Sequence, residues 1–399
     1  MCELCKNIEW PPLQGKSVVL ATTGSISIYR IPDLVRELVR SGASVYVGMS
    51  SSSMELVSSE VMKWASGNDP ITKITGRIEH ISLFESDEGN TVLVIAPASY
   101  NTVGKMVSGI ADSIPSLFFS YAYGKKIPVI IAPAMHRNMF ENPIFQENLK
   151  KLLSLGVDVV HPLLEADKAK ISENEKIMDH IYRAFFGNLL SGKRILIVSG
   201  RSEDLIDPVR VVTNRSTGTA GLWLARNAYR LGARRIVFVG NAESPLPEYV
   251  EQHIEYETEN FYSQVENLLT NEDFDIVIVP AAITDFYIKG GKLSKKMDSD
   301  RSAVIHLEPR EKLLIRIRKR FKGKLVAFRL WNSPDNIIKH FSDSSPDMIV
   351  FNRIGEKENP FGNGPTSYTI FSREGETEIT GIDKEEATFR LMIHISQVL

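Results

Sequence analysis

The chain has 399 residues, comfortable for two domains, with 43% apolar and 24% charged residues and a net charge of −2, which offers no general attraction to nucleic acid or an anionic membrane. No apolar run approaches the ~18 residues needed to span a bilayer, and the N-terminus MCELCKNIEW lacks the apolar segment of a signal peptide, so a cytoplasmic protein that binds neither nucleic acid nor membrane is expected. Cys2 and Cys5 are the only cysteines, which excludes a disulfide framework; no second Cys/His pair stands at zinc-site spacing, and residues 1–14 read as an N-terminal tail.

From Gly15 the chain alternates strand-like and helix-like segments. Strands are expected near 17–22, 44–49, 92–96, 128–132 and 157–160, and helices near 27–41, 53–65, 101–110, 143–155 and 173–187. The stretch FFGNLLSGK then reads as a boundary, with a linker at 187–192 between domains at 15–186 and 193–399. GKRILIVSGR restarts the pattern set by GKSVVLATTGS, and strands follow near 194–199, 235–240, 275–280, 324–329 and 347–351, with a helix in TAGLWLARNAYRLGA. Such alternation defines an α/β protein of two doubly wound domains with parallel sheets. Ligands of such sheets bind beyond the carboxyl ends of the strands, so the residues after each strand matter most.

In the first domain, Gly24 and Ser25 occupy a strand-to-helix turn whose free N–H groups suit a phosphate, although the turn is not GxGxxG. Ser50 opens a serine run that serves either as a helix cap or as a hydroxyl-rich wall. Ser99, Asn101 and Thr102 supply hydroxyls and an amide after the third strand. His136 and Met139 in PAMHRNMF follow the fourth, and His80 in RIEHISLF is either structural or functional. Together, PASYNT, PAMHRNMF and GRIEHISL resemble the motifs of the flavin-dependent cysteine decarboxylases over roughly 15–186. The resemblance implies a flavodoxin-like domain that binds FMN and assembles as trimers or higher multiples. It implies FMN contacts at Gly24, Ser25, Ser50, Ser99 and Thr102, a flavin or substrate contact at Asn101, and a catalytic base at His80. The implied chemistry is oxidation of a cysteine thiol, loss of CO2 and return of the electrons to the product. His136 and Phe140 replace the family's asparagine and tryptophan; the ring N–H of His136 can replace the amide as a donor to a substrate carboxylate. The family's flap cysteine is absent from LLEADKAKISEN, where Glu165, Lys168 and Lys170 are the candidate proton donors.

In the second domain, DPVRVVTNRSTG precedes a helix. Ser216, Thr217 and Gly218 stand at its N-terminus, an anion site; Arg210 adds positive charge and Asn214 a neutral donor for an oxyanion. An elaborate cap loop accounts for Ser216 and Gly218 but not for the whole string. IDPVR followed by TNRSTG resembles the phosphopantothenate–cysteine ligases. The resemblance implies a Rossmann-like ligase domain that binds CTP through Ala281, Asp285, Lys292 and Phe328. Lys295 and Lys296 belong either to that site or to a solvated basic run. Asn352 and Phe361-Gly362 match the family's ending, while AFRLWNS and the offset Lys339 depart from it.

The two resemblances join in one expectation: a bifunctional coenzyme A biosynthesis enzyme of archaeal type. It would join 4'-phosphopantothenate to cysteine with CTP and Mg2+, using Asn214 and Lys292, and then decarboxylate the product with FMN. Ligase dimers and decarboxylase trimers would make it a homo-oligomer. The alternatives are a ligase whose first domain only binds flavin, and a two-domain flavin/NAD oxidoreductase.

Overall fold

The computed structural model describes residues 10–85, 89–298, 300, 302–331, 344–353, 366–373, 375–381 and 383–398. The chain divides into two compact units, Cys2–Phe186 and Gly187–Leu399.

The first unit contains strands β1 (Ser17–Thr22), β2 (Ser44–Met49), β3 (Thr91–Ala98), β4 (Val129–Pro133), β5 (Met135–His136), β6 (Asp158–Val159), β7 (Leu163–Leu164) and β8 (Lys168–Lys170). Five of them form a parallel sheet in the order β2-β1-β3-β4-β6, the flavodoxin-like winding. β3 lies at its centre, and all eight of its residues are buried, which is why it reads as a continuous apolar run rather than an alternation. The expected helix at 27–41 is divided: a 3-10 turn, Ile26–Arg30, precedes the α-helix Ile31–Arg40, whose Leu34, Val35 and Leu38 face the core. The expected helix at 53–65 is also divided, into Ser51–Met54 and Ser59–Ser66; the Ser58 hydroxyl accepts from the Glu60 amide and starts the second piece afresh.

Helix Ile114–Gly124 was not expected. Ile114, Phe118, Phe119 and Ala122 are buried, and its aromatic residues cover so much of its surface that no clean polar face marks it as helical. Its Phe118 joins Val19, Ile95 and Ile131 in the core. Burying a side chain of that size stabilises by about 1.5–3 kcal/mol.

The second unit contains β9 (Arg194–Ser199), β10 (Glu203–Leu205), β11 (Val211–Thr213), β12 (Arg235–Gly240), β13 (Glu251–Ile254), β14 (Ile276–Val279), β15 (Phe286–Ile288), β16 (Leu307–Pro309), β17 (Lys324–Trp331), β18 (Met348–Arg353), β19 (Thr366–Ser372) and β20 (Gly375–Gly381). The main sheet runs β13-β12-β9-β14-β17-β18-β19-β20. It is parallel from β13 to β18 and antiparallel from β18 to β20, so the expectation of a parallel sheet holds for only part of it. The reason lies in a tight connection: Ser372 pairs with Gly375, and only antiparallel neighbours can be joined so closely.

Two expected connectors are packed. In the N-terminal tail, Pro12 and Leu13 are buried, and the Leu13 amide donates to the Ser41 carbonyl at 3.0 Å. In the stretch 187–192, Leu190 is buried and its amide donates to the Leu231 carbonyl at 2.7 Å, which makes this stretch part of the second unit's structure. Among the described residues no helix is long and apolar enough to cross a membrane.

Candidate functional site

The carboxyl ends of β1, β3 and β4 are drawn together by short side chains. The Thr23 hydroxyl donates to the Pro97 carbonyl at 2.7 Å and accepts from the Ser99 amide at 3.0 Å. The Ser25 hydroxyl donates to the Ala134 carbonyl at 3.1 Å. Gly24 allows a further approach, since a Cβ there would lie 2.6 Å from Cβ of Ser52. These loops enclose a cavity of about 790 Å³.

The structure brings Gly24, Ser25, Ser50, Ser99, Asn101 and Thr102 to this cavity, with His136 and Met139 on its wall. Two of the hydroxyls also cap helices: Ser50 accepts from the Ser53 amide at 3.1 Å, and Ser99 from the Thr102 amide at 3.4 Å. Capping thus accompanies their place on the wall. β5, β8 and β7 form a small antiparallel sheet in which His136 lies opposite Lys168. Lys168 and Lys170 line the cavity. Glu165 does not; it forms an ion pair with Lys170 at 2.5 Å.

His80 is not among the lining residues. It stands on the short helix Glu79–Ser82, edge-on to Tyr121 at 6.2 Å, and its Nδ1 is buried without a hydrogen-bond partner. Arg30, by contrast, lines the cavity and was missed; its Nη1 donates to the Ile171 carbonyl at 3.2 Å. The signal was a cation closing the short 3-10 helix that follows Gly24-Ser25. Lys105 also lines the cavity, with its charge met by Asp112 at 2.8 Å.

In the second unit β10 and β11 form a hairpin, and IDPVR is its turn. Asp207 is fully buried and Arg210 forms an ion pair with it at 2.6 Å. The Arg210 guanidinium also donates to the Met297 carbonyl at 3.3 Å. Arg210 is thus held in place within the protein through its Nη1. The Met297 amide, then the Val209 amide and the Arg210 guanidinium and amide, hold the Asp207 carboxyl well below the usual carboxylate range against the opposing effect of burial.

Asn214 is similarly engaged. Its Nδ2 donates to the Ala282 carbonyl at 2.8 Å, tying the motif to the turn after β14. That turn is anchored to β9 through the Ala281 amide, which donates to the Val198 carbonyl at 3.0 Å. Gly218 opens helix Thr219–Arg230 at φ +73°, and a Cβ there would fall 2.2 Å from the Asn241 carbonyl oxygen, so neither its conformation nor its space suits another residue. The Ser216 hydroxyl accepts from the Gly218 amide at 3.3 Å, while Thr217 shares a hydrogen bond with Thr219 at 2.8 Å.

Of the residues expected at a nucleotide, Ala281 follows the end of β14 and Phe328 lies within the neighbouring β17, next to Ala327, which is in register with Val279. Phe328 is half-buried, edge-to-face with Tyr368 at 5.7 Å. Asp285, Lys292, Lys295 and Lys296 are exposed. Asn352 lies on β18 opposite Leu330. Cys2, Cys5, Lys339, Phe361 and Gly362 lie outside the described residues.

A further polar cluster was not anticipated. Asp204 accepts from Arg310 at 2.6 Å and from the Thr258 hydroxyl at 2.9 Å, with a close hydrogen bond from Thr284. Beside it Tyr262 is pushed up to about 12, chiefly by burial.

The fold and these sites define a two-unit α/β protein whose first unit has a flavodoxin-like winding and a polar cavity beyond its strand ends. Residues 9–186 match the Flavoprotein family and residues 190–399 the DNA/pantothenate metabolism flavoprotein C-terminal domain. The chain is 34% identical, over 97% of its length and 96% of the relative, to a "Coenzyme A biosynthesis bifunctional protein CoaBC" of Thermococcus kodakarensis. It is 32% identical to the protein of that name in Methanocaldococcus jannaschii, over 96% and 94%. A solved C-terminal domain of a CoaBC protein aligns at 26% identity and a TM-score of 0.43, over 53% of this chain and 97% of that one. The chain belongs to the CoaBC family: it is a bifunctional enzyme of coenzyme A biosynthesis, with a flavoprotein decarboxylase unit followed by a ligase unit.

Proposed function

We propose that the second unit joins 4'-phosphopantothenate to cysteine at the expense of CTP, and that the first unit decarboxylates the product with FMN. The observation that carries the reading of the first unit is the convergence of its strand-end loops on one cavity. About 790 Å³ falls within the ~300–1,000 Å³ range of cofactor sites. The donor set fits a phosphorylated flavin: hydroxyls of Ser25, Ser99 and Thr102 with the Asn101 amide on one part of the wall, and Met135 and Met139 for an apolar ring. When bound, FMN supplies an acceptor that takes two electrons from the cysteine thiol and returns them after CO2 has left. Around it, His136 donates its ring N–H to the substrate carboxylate and Lys168 or Lys170 delivers the final proton, while His80, which is not among the lining residues, is assigned the role of base by the family likeness alone.

For ligation, the pantothenate carboxylate attacks the α-phosphate of CTP and displaces pyrophosphate, and the amine of cysteine then attacks the resulting acyl-cytidylate and displaces CMP. Lys292 screens the triphosphate, Phe328 and Ala281 contact the nucleotide, and Asn214 steadies the carbonyl oxygen during amine attack. Mg2+ enters with the triphosphate; this ion is commonly held by one or two carboxylates and substrate phosphates, and Asp285 is the exposed carboxylate of the set. The enzyme acts as a homo-oligomer in the cytoplasm.

The test supplies the purified protein with FMN, phosphopantothenate, cysteine, Mg2+ and either CTP or ATP, and follows products by mass spectrometry. The expected result is phosphopantothenoylcysteine and then 4'-phosphopantetheine, with CTP preferred. His80→Gln is expected to retain FMN and ligation but lose decarboxylation. A second reading, a ligase with a flavin-binding but incomplete decarboxylase unit, draws on the place of His80 outside the cavity lining. Ligation without any 4'-phosphopantetheine would favour it.

A further inference from the structure

The lysines proposed to meet the nucleotide project from an exposed loop, residues 292–297. The turn 206–210 holds this loop at two points. The Leu293 amide donates to the Ile206 carbonyl at 2.9 Å. The Met297 amide donates to Asp207 Oδ2 at 3.0 Å, and Arg210 Nη1 donates to the Met297 carbonyl at 3.3 Å. Lys295 and Lys296 lie between these two points and Lys292 just before the first.

The two carboxylate oxygens of the buried Asp207 have separate tasks. Oδ1 accepts from the amides of Val209 and Arg210 at 2.7 and 2.9 Å, which builds the local turn. Oδ2 accepts from Arg210 Nη1 at 2.6 Å and from the Met297 amide, 90 residues further along the chain. A carboxylate that only shaped its own turn would need the first oxygen alone.

We propose that Asp207 is a positioning residue for nucleotide transfer: it fastens the lysine loop to the IDPVR turn and so presents the ammonium groups from a fixed backbone. The inference rests on the ligase reading above. Asparagine cannot replace it, because an amide that keeps its oxygen on the turn places an NH2 against the Met297 amide and the Arg210 guanidinium, donor against donor.

Asp207→Asn is compared with the full-length enzyme in two measurements. Tryptic cleavage at 292–296 is expected to accelerate at least tenfold. The kcat of CTP-dependent ligation is expected to fall roughly 10²-fold, the cost of misplacing a reacting group by about an ångström. Lys292→Ala is added in a double-mutant cycle; if Asp207 acts through the loop, the double variant loses little more than the worse single variant. Met297→Pro, which removes the loop-side N–H, serves if Asp207→Asn does not fold, with cleavage read after Lys292 and Lys295 because trypsin does not cut before proline. Unchanged tryptic rates in both variants, or fully multiplicative losses with Lys292→Ala, overturn the proposal. If the wild-type protein forms no ligation product, the ligase reading fails and the positioning role with it; the tryptic rates then report whether the fastening exists on its own.

Discussion

The two units hold their motif side chains in different ways. In the first, hydroxyls and an amide from separate loops line one cavity; Ser50 and Ser99 cap helices there, while Thr23 and Ser25 join one loop to another. In the second, two motif residues are bonded across long stretches of chain, Asn214 to Ala282 and Arg210 to Met297. The contrast separates a wall from a brace. Groups of the first kind meet the ligand with little rearrangement, whereas groups of the second kind hold loops in place or exchange a protein partner for a ligand when it arrives. A polar motif residue can thus have partners within the protein, and Arg210 is the example.

The sharpest way to break the comparison is Asn214→Asp. The substitution replaces a donor with a negative charge facing the Ala282 carbonyl. Ligation is expected to fall ~10²–10³-fold, as for loss of an oxyanion donor, while FMN binding to the first unit persists. Ligation rates and the flavin spectrum of one preparation check both halves. Unchanged ligation would reduce Asn214 to a brace alone.

A smaller effect is expected in the wall. Gly24→Ala places a methyl group 2.6 Å from Ser52 Cβ, so the turn after β1 must shift. FMN affinity should fall about tenfold, equivalent to ~1.4 kcal/mol, with ligation unaffected; fluorescence titration of FMN measures it. Equal affinity in both proteins would mean that this turn does not contact the cofactor.

The smallest effect is on acid stability. The folded-state pKa of Asp207 is depressed, so its contribution is present above the unfolded value and lost as pH falls toward the folded one. Below about pH 4 the wild-type enzyme should lose urea resistance faster than Asp207→Asn, with tryptophan fluorescence as the readout. Parallel acid curves would contradict a strongly bonded carboxylate.

Much of the parallel frame was legible because its strands are short apolar runs ended by glycine, proline or serine. β9 and β12 are the clear cases, with bounds Arg194–Ser199 and Arg235–Gly240 as expected. Helix Ile114–Gly124 was not, since its burial erased the amphipathic signal. The cavity residues were legible because hydroxyls at strand-to-helix junctions have a recognisable local pattern. The partners of Asp204 and Asp207 were not: Arg310 lies 106 residues from Asp204 and Met297 lies 90 residues from Asp207, and no local pattern encodes such pairings.

The antiparallel end of the second sheet has a consequence for self-association. β20 stands at the end of the strand order, where an unpaired backbone can recruit another molecule. Its sequence GETEITG exposes Glu376 and Glu378. Two copies approaching edge to edge would bring these carboxylates near one another, and like charges across a strand pair are destabilising. The residues that finish the sheet therefore also discourage its extension into aggregates.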